Sequence, residues 1–263
     1  MNNTDCHFEI GSTHDVCEDY ALALEERCFL SDGCSTGEHT DVGARLLCHV
    51  ASGLPVHTPP ERVVYEVNAA RRVLLLPEAC TRATLFSGYC TDHGFHIQAT
   101  GDGTIVGIQH SGQVRIEDIQ YPSGAPLYPA YLAKEADLEA YRDEFGLRRV
   151  IECTEMHSGE VRDSYEENEP VPRKRYFSYD LYHTVLLLSD GASTFVRRNP
   201  ETGVKDPVPL VEVVSELVKI KNFKGEFIKR RAKRFLKTSA NNGWEHYDDF
   251  SVGALHHEEE QDA

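Results

Sequence analysis

The chain has 263 residues, 40% of them hydrophobic, enough to bury one large core in a single domain. Its 43 acidic residues against 27 basic ones give a formal net charge of −16, which disfavours non-specific binding to nucleic acid or anionic membrane. No apolar run is long enough to span a bilayer, and the N-terminal Met1-Asn2-Asn3-Thr4-Asp5 lacks the basic and apolar regions of a signal peptide; a cytoplasmic monomer with no nucleic-acid or membrane partner is expected.

Apolar runs bounded by turn residues predict strands over 6–10, 20–24, 28–31, 83–90, 95–100, 104–109 and 112–119. The turn sequences His93-Gly94, Gly101-Asp102-Gly103 and Ser111-Gly112 predict antiparallel hairpins between neighbours. Two helices interrupt this series. One, over 41–52, places Val42, Leu46, Leu47 and Val50 on one face. The next opens at Thr58-Pro59-Pro60-Glu61, with capping-box spacing and proline in its first turn, and carries Val63, Val67, Ala70 and Leu74. Over 121–179 the character changes: Pro122-Ser123-Gly124-Ala125-Pro126, a polar helix at 134–145 and an acidic, proline-containing stretch at 163–172 read as an inserted, flap-like surface element. A strand at 184–189 restores the core pattern, and a helix over 210–220 presents Leu210, Val213, Val214 and Leu217.

The basic stretch Lys224 to Lys237 interleaves Phe227, Ile228, Phe235 and Leu236, which predicts an amphipathic helix with a solvated basic face. Pro172-Arg173-Lys174-Arg175 reads equally as a loop or as a contact for an acidic or phosphorylated substrate. A last strand, 250–255, precedes an acidic tail at 256–263 expected to be disordered. The eight cysteines contain no Cys-x-x-Cys pair and read as reduced, mostly buried thiols.

Carboxylates punctuate the strand ends. Glu18-Asp19 precedes the run at Tyr20, Ser31-Asp32-Gly33 ends the next, Gly101-Asp102-Gly103 lies between two strands, Ser189-Asp190-Gly191 ends another, and Asp248-Asp249 opens the last. A carboxylate at the end of a buried strand stands on a rigid platform, and a following glycine lets backbone approach whatever it holds. Converging carboxylates repel one another when ionised, so they share protons or bind a hard cation.

This order, with Asp41-Val42-Gly43-Ala44 after the first Asp-Gly, resembles the metal-dependent type-2C (PPM) protein phosphatases over nearly the whole chain. The resemblance implies an α+β fold: a four-layer α-β-β-α sandwich of two antiparallel sheets flanked by helices, as a single domain over 1–255 with a flap-like insert at 121–179. It implies two Mg²⁺ or Mn²⁺ ions and hydrolysis of phosphoserine and phosphothreonine in a protein substrate by a metal-bridging water. By motif, Asp32 is the bridging, catalytic ligand and the Gly33 carbonyl serves the second metal. Asp190 and Asp248 hold the first metal, Glu18 and Asp19 serve the second, and Asp102 is the candidate for a weaker third. The phosphate-gripping arginine four residues before the Glu-Asp pair is His14 here, which takes the substrate-binding and catalytic role by position; Arg82 is another basic group able to fill it. Cys34 stands where some relatives carry a histidine, and Asp249 where asparagine is common. His14 and Cys34 motivate an alternative, a pseudophosphatase acting as a regulatory binding module.

Overall fold

Three antiparallel sheets and six α-helices build the fold in this computed structural model, which describes residues 2–156, 161–199 and 202–258. Strands β1 (Asn2–Glu9), β2 (Tyr20–Leu24) and β3 (Arg27–Ser31) precede helices α1 (Thr40–Gly53) and α2 (Pro60–Val73). Two hairpins follow, β4 (Leu85–Cys90) with β5 (Gly94–Thr100) and β6 (Gly103–Gln109) with β7 (Val114–Gln120). Helices α3 (Pro129–Leu132) and α4 (Glu135–Phe145) lead to β8 (Arg149–Glu155), β9 (Val161–Glu167) and β10 (Arg173–Ser178). Then come β11 (Tyr182–Leu188), β12 (Phe195–Arg198), β13 (Lys205–Pro207), α5 (Leu210–Leu217), α6 (Phe227–Asn241), β14 (Trp244–His246) and β15 (Phe250–His257).

Period-two alternation gives each large sheet two apolar faces. The seven-stranded sheet, ordered β1-β15-β11-β6-β7-β8-β9, turns Ile105, Ile119, Val185, Leu187 and Leu255 toward the five-stranded sheet, ordered β10-β5-β4-β3-β2. Cys28, Leu30, Phe86, Phe95 and Ile97 meet them from that side. The next residues along the strands point the other way. Phe29, Leu85 and Tyr89 pack with Ala44, Leu47 and Cys48 of α1 and Val63, Val64 and Val67 of α2, while Val106, Leu186 and Val252 pack with Val213, Val214 and Leu217 of α5 and Phe227, Ile228 and Phe235 of α6. Burying each such side chain is worth about 1.5–3 kcal/mol, which is why these stripes decide where the helices lie.

Several sequence expectations change. At Gly101-Asp102-Gly103 there is no hairpin: β5 and β6 belong to different sheets, and the chain crosses between them with φ of 99° at Gly101 and 132° at Gly103. Part of the stretch read as a surface insert is sheet, since β8 and β9 extend the larger sheet and β10 edges the smaller. Its strands escaped notice because they bury ion pairs in place of apolar side chains. Arg173 and Arg175 on β10 reach across to Glu117 on β7, which is fully buried, so these two arginines lie in a strand and are held by an ion pair, while Lys174 between them is exposed. Thr58 forms no capping box; its hydroxyl donates to the Pro55 carbonyl and α2 starts from Pro59 without a side-chain cap. On α1 the fully buried stripe is Gly43, Ala44, Leu47, Cys48 and Ala51, with Val42, Leu46 and Val50 only partly covered. The last strand continues to His257, two residues into the expected tail, because His256 is buried, stacks on Phe223 and bonds Thr184; residues 259–263 of that tail lie outside the described residues. All eight cysteines are free thiols, five of them buried. Among the described residues no helix is long and apolar enough to cross a membrane.

Candidate functional site

Antiparallel pairing brings the carboxylates together. The start of β2, the end of β3, the β5–β6 crossing, the end of β11 and the start of β15 all lie at one end of the two facing sheets, as the pairs Tyr20↔Ser31, Leu188↔Thr104 and Leu188↔Val252 require. Asp19, Asp32, Asp102, Asp190 and Asp248 therefore converge although they span 230 positions of sequence. Their mutual influence is visible in their protonation. Burial first, then the charges of Asp190, Asp19, Asp102 and Asp248, push Asp32 well above the usual carboxylate range. Asp32 keeps some area open to the cleft, yet dense protein surrounds it, so desolvation dominates. Asp102 is pushed up to about 8, by burial and then by Asp190. Asp190 is pushed up to about 6, by burial and then by Asp248, with a hydrogen bond from Asp32 pulling the other way.

Asp19 is fully buried, and burial drives its carboxyl far above the usual range. The hydroxyls of Ser189 and Ser251 lie close enough to favour its ionised form, but neither carboxylate oxygen completes a hydrogen bond. Two orphaned oxygens beside four crowded carboxylates are an arrangement that a hard divalent cation satisfies and protein donors here do not. The donor set, all oxygen, fits Mg²⁺ or Mn²⁺. A second grouping adjoins it: single ligand atoms of His14, Glu18 and Asp249 lie within 4.8 Å of one another.

Glu18 is held from two sides. Thr40, the first residue of α1, donates its hydroxyl to Oε1 of Glu18 at 2.9 Å. Asp249, 2% exposed, accepts the backbone N–H of Glu18 on Oδ2 and that of Gly11 on Oδ1 at 2.7 Å. An asparagine there offers a single acceptor oxygen, so this chain uses both carboxylate oxygens to pin two loops. The Gly33 amide donates to the Glu18 carbonyl at 3.2 Å, and a Cβ on Gly33 would sit 2.9 Å from the Thr40 carbonyl oxygen, so the Asp32-Gly33 turn packs tightly on both.

His14 lies inside this ring. Nδ1 is 3.1 Å from Oδ2 of Asp249, and Nε2 is 3.3 Å from Oδ1 of Asp248. Burial alone would lower its pKa; Asp249, Asp248 and Glu18 outweigh that and raise it. Both ring nitrogens thus face carboxylates, where an imidazolium offsets their charge.

With this geometry in view, solved structures supply the comparison. A bacterial serine phosphatase matches at 12% identity with a TM-score of 0.57, over 99% of this chain and 100% of that one. This is the fold of the bacterial type-2C serine/threonine phosphatases. Stp1 from Staphylococcus aureus shares it at 14% identity and a TM-score of 0.55, over 98% of this chain and 96% of its own. The Mycobacterium tuberculosis phosphatase PstP/Ppp does so at 16% identity and a TM-score of 0.54, over 98% and 99%. No protein-family model matches the chain, and no curated protein matches it either.

In this phosphatase fold the cluster also contains groups that the sequence reading passed over. The Tyr128 hydroxyl, from the segment before α3, lies within hydrogen-bonding reach of Cys34 and feels the charges of Asp32 and Asp102; burial first, then those neighbours, raise its pKa and keep it protonated. Asp118 on β7 accepts from Thr104 Oγ1 at 2.9 Å, and its burial-raised carboxyl pushes on Asp102 and Asp190. Two adjacent acids between the apolar residues of Val114-Arg115-Ile116-Glu117-Asp118-Ile119 were a readable signal for Asp118; nothing local marked Tyr128.

Proposed function

We propose that this protein is a divalent-metal-dependent phosphatase acting, as a cytoplasmic monomer, on phosphoserine and phosphothreonine in proteins. The supporting observation is the convergence of Asp19, Asp32, Asp102, Asp190 and Asp248 at one end of two facing sheets, with raised carboxyl pKa values at Asp19, Asp32, Asp102 and Asp190 and two orphaned oxygens on Asp19. The sheets and their flanking helices are read as a four-layer α-β-β-α sandwich, a single domain over 1–255, in which the segment around α3 and α4 is the flap beside the site.

Asp32 would serve both cations, Asp190 and Asp248 would hold the first, Glu18, Asp19 and the Gly33 carbonyl would hold the second, and Asp102 would offer a weaker third. When bound, Mg²⁺ or Mn²⁺ activates water and neutralises charge on the phosphoryl oxygens. The chain's own residues keep the geometry: Thr40 and Asp249 orient Glu18, His14 offsets the charge of Asp248 and Asp249, and Tyr128 keeps a protonated hydroxyl beside Cys34.

Hydrolysis of a phosphoserine peptide should appear with Mn²⁺, vanish with chelator, and fall at least about 100-fold in Asp32→Asn and Asp190→Asn. Wild-type rates in both variants would sink this reading. The engagement of both His14 nitrogens by carboxylates favours one rival, a regulatory binding module without turnover. Its signature is phosphoprotein binding that survives chelation, and metal-dependent turnover by the wild type would exclude it.

A further inference from the structure

The backbone around Asp32 places an arginine beside it. Gly33 and Ala83 form an antiparallel bridge, with Cys34 N donating to the Arg82 carbonyl at 2.9 Å and Thr84 N donating to the Asp32 carbonyl at 2.8 Å. Cross-strand partners in such a pair point to one face, and residues two apart along a strand share that face. Asp32, Cys34, Arg82 and Thr84 therefore project together, opposite Gly33 and Ala83. The Asp32 amide, bonded to Thr84 Oγ1 at 2.9 Å, locks this register.

Arg82 is exposed and lines a cavity of about 540 Å³ together with Tyr131, Lys134, Tyr141 and Phe145. The two lining cations differ. Lys134 is occupied by Glu78 and Asp137, whereas the Arg82 side chain has no hydrogen bond or ion pair among the described residues. The Arg82 charge acts on Tyr131, which also feels Cys34. Tyr131 stacks on Tyr128 at 5.9 Å between ring centroids, and Tyr128 in turn lies beside Cys34 and feels the charge of Asp32. Through Tyr131 and Tyr128 the cavity wall approaches the carboxylate cluster. At the other side of that cluster, His14 is held by Asp248 and Asp249.

We infer that Arg82 binds the phosphoryl group of the substrate, a phosphate monoester, at the mouth of this cavity. The inference rests on the phosphatase reading and assigns its anion-binding residue. An unpaired guanidinium presents a planar fork to two phosphate oxygens, which an imidazole committed to two carboxylates does not. It also sets one positive charge against a wall of carboxylates that otherwise repels an anion.

The test is calorimetric titration of Mn²⁺-loaded protein with inorganic phosphate, alongside peptide hydrolysis. Arg82→Ala should weaken phosphate binding on the order of 10- to 100-fold and raise KM for a phosphoserine peptide more than it lowers kcat. Arg82→Lys, which keeps the charge without the fork, should fall between, and Arg72→Ala, an exposed charge on α2, should match wild type. Phosphate affinity of Arg82→Ala within twofold of wild type, or no phosphate binding by wild type, overturns the inference. Phosphate binding that depends on Arg82 in a protein with no hydrolysis would overturn the phosphatase reading and leave this one standing. Hydrolysis indifferent to Arg82 would do the reverse.

Discussion

Gly43→Ala sets local helix preference directly against tertiary contact. Gly43 lies inside α1, where alanine is intrinsically better by about 1 kcal/mol. A Cβ there, however, would lie 1.6 Å from the Cys80 carbonyl oxygen and 2.5 Å from its carbon, on the 3₁₀ turn Glu78–Thr81. Ordinary contact needs about 3.5 Å, so α1 and this turn must separate by about 2 Å. Both clashing atoms are backbone, and no rotamer change relieves them. Overpacking of this kind costs about 3 kcal/mol or more, leaving a net loss of about 2 kcal/mol after the helix gain.

The same shift would reach the site. Thr40 begins α1 and bonds Glu18, and Arg82 follows the displaced turn, so Mn²⁺ and phosphate affinity should both weaken. Urea unfolding with an unchanged m-value would read the stability, and thermal unfolding should drop by about 4–8 °C. A Gly43→Ala protein as stable as wild type would refute the argument that this crossing, and not helix propensity, governs the position.

Other expectations follow from individual contacts. Asp102 and Asp190 have folded pKa values of about 8 and about 6, above the ordinary 3.8, so the native state binds more protons than the unfolded chain between those limits. In chelator, stability should therefore be greatest near pH 4 and fall as pH rises through 6 and 8, with Mn²⁺ flattening the decline; a chelated melting profile that rises over this range would contradict the raised values. Asp249→Asn replaces one of two acceptors with a donor facing a backbone N–H, and should cost about 1–2 kcal/mol in urea unfolding despite relieving carboxylate repulsion. A more stable variant would mean that repulsion wins. Glu117→Ala leaves Arg115, Arg173 and Arg175 without their shared carboxylate and should cost about 3–5 kcal/mol; a loss under about 1 kcal/mol would show that the guanidiniums find other partners.

Short-range pattern carried much of the architecture. The strands ending at Ser31, Gln109 and Leu188, the apolar face of α5 and the amphipathic α6 are legible because burial imposes period 2 or 3.6 on the residues themselves. The carboxylates were legible for a similar reason: each marks the end of a buried strand, beside a turn, and their order matches a known arrangement. Strands β8, β9 and β10 left no such trace, since buried ion pairs to Glu117 and Glu167 replaced part of their apolar alternation. The crossing at Gly101–Gly103 reads locally as a hairpin turn, because the glycines that permit a turn also permit a change of sheet.

The sequence by itself thus determined which residues can bind a cation and in what order they occur, because residue chemistry and strand-end position are local properties. Only the tertiary structure decided which of them meet and what each one faces. It turned His14 onto Asp248 and Asp249, set Tyr128 beside Cys34, and left Arg82 without a partner among the described residues on the same face as Asp32. Those outcomes depend on cross-strand register and on the packing of α1 and α3 against the sheets, which join residues far apart in the chain and leave no periodic signature within it.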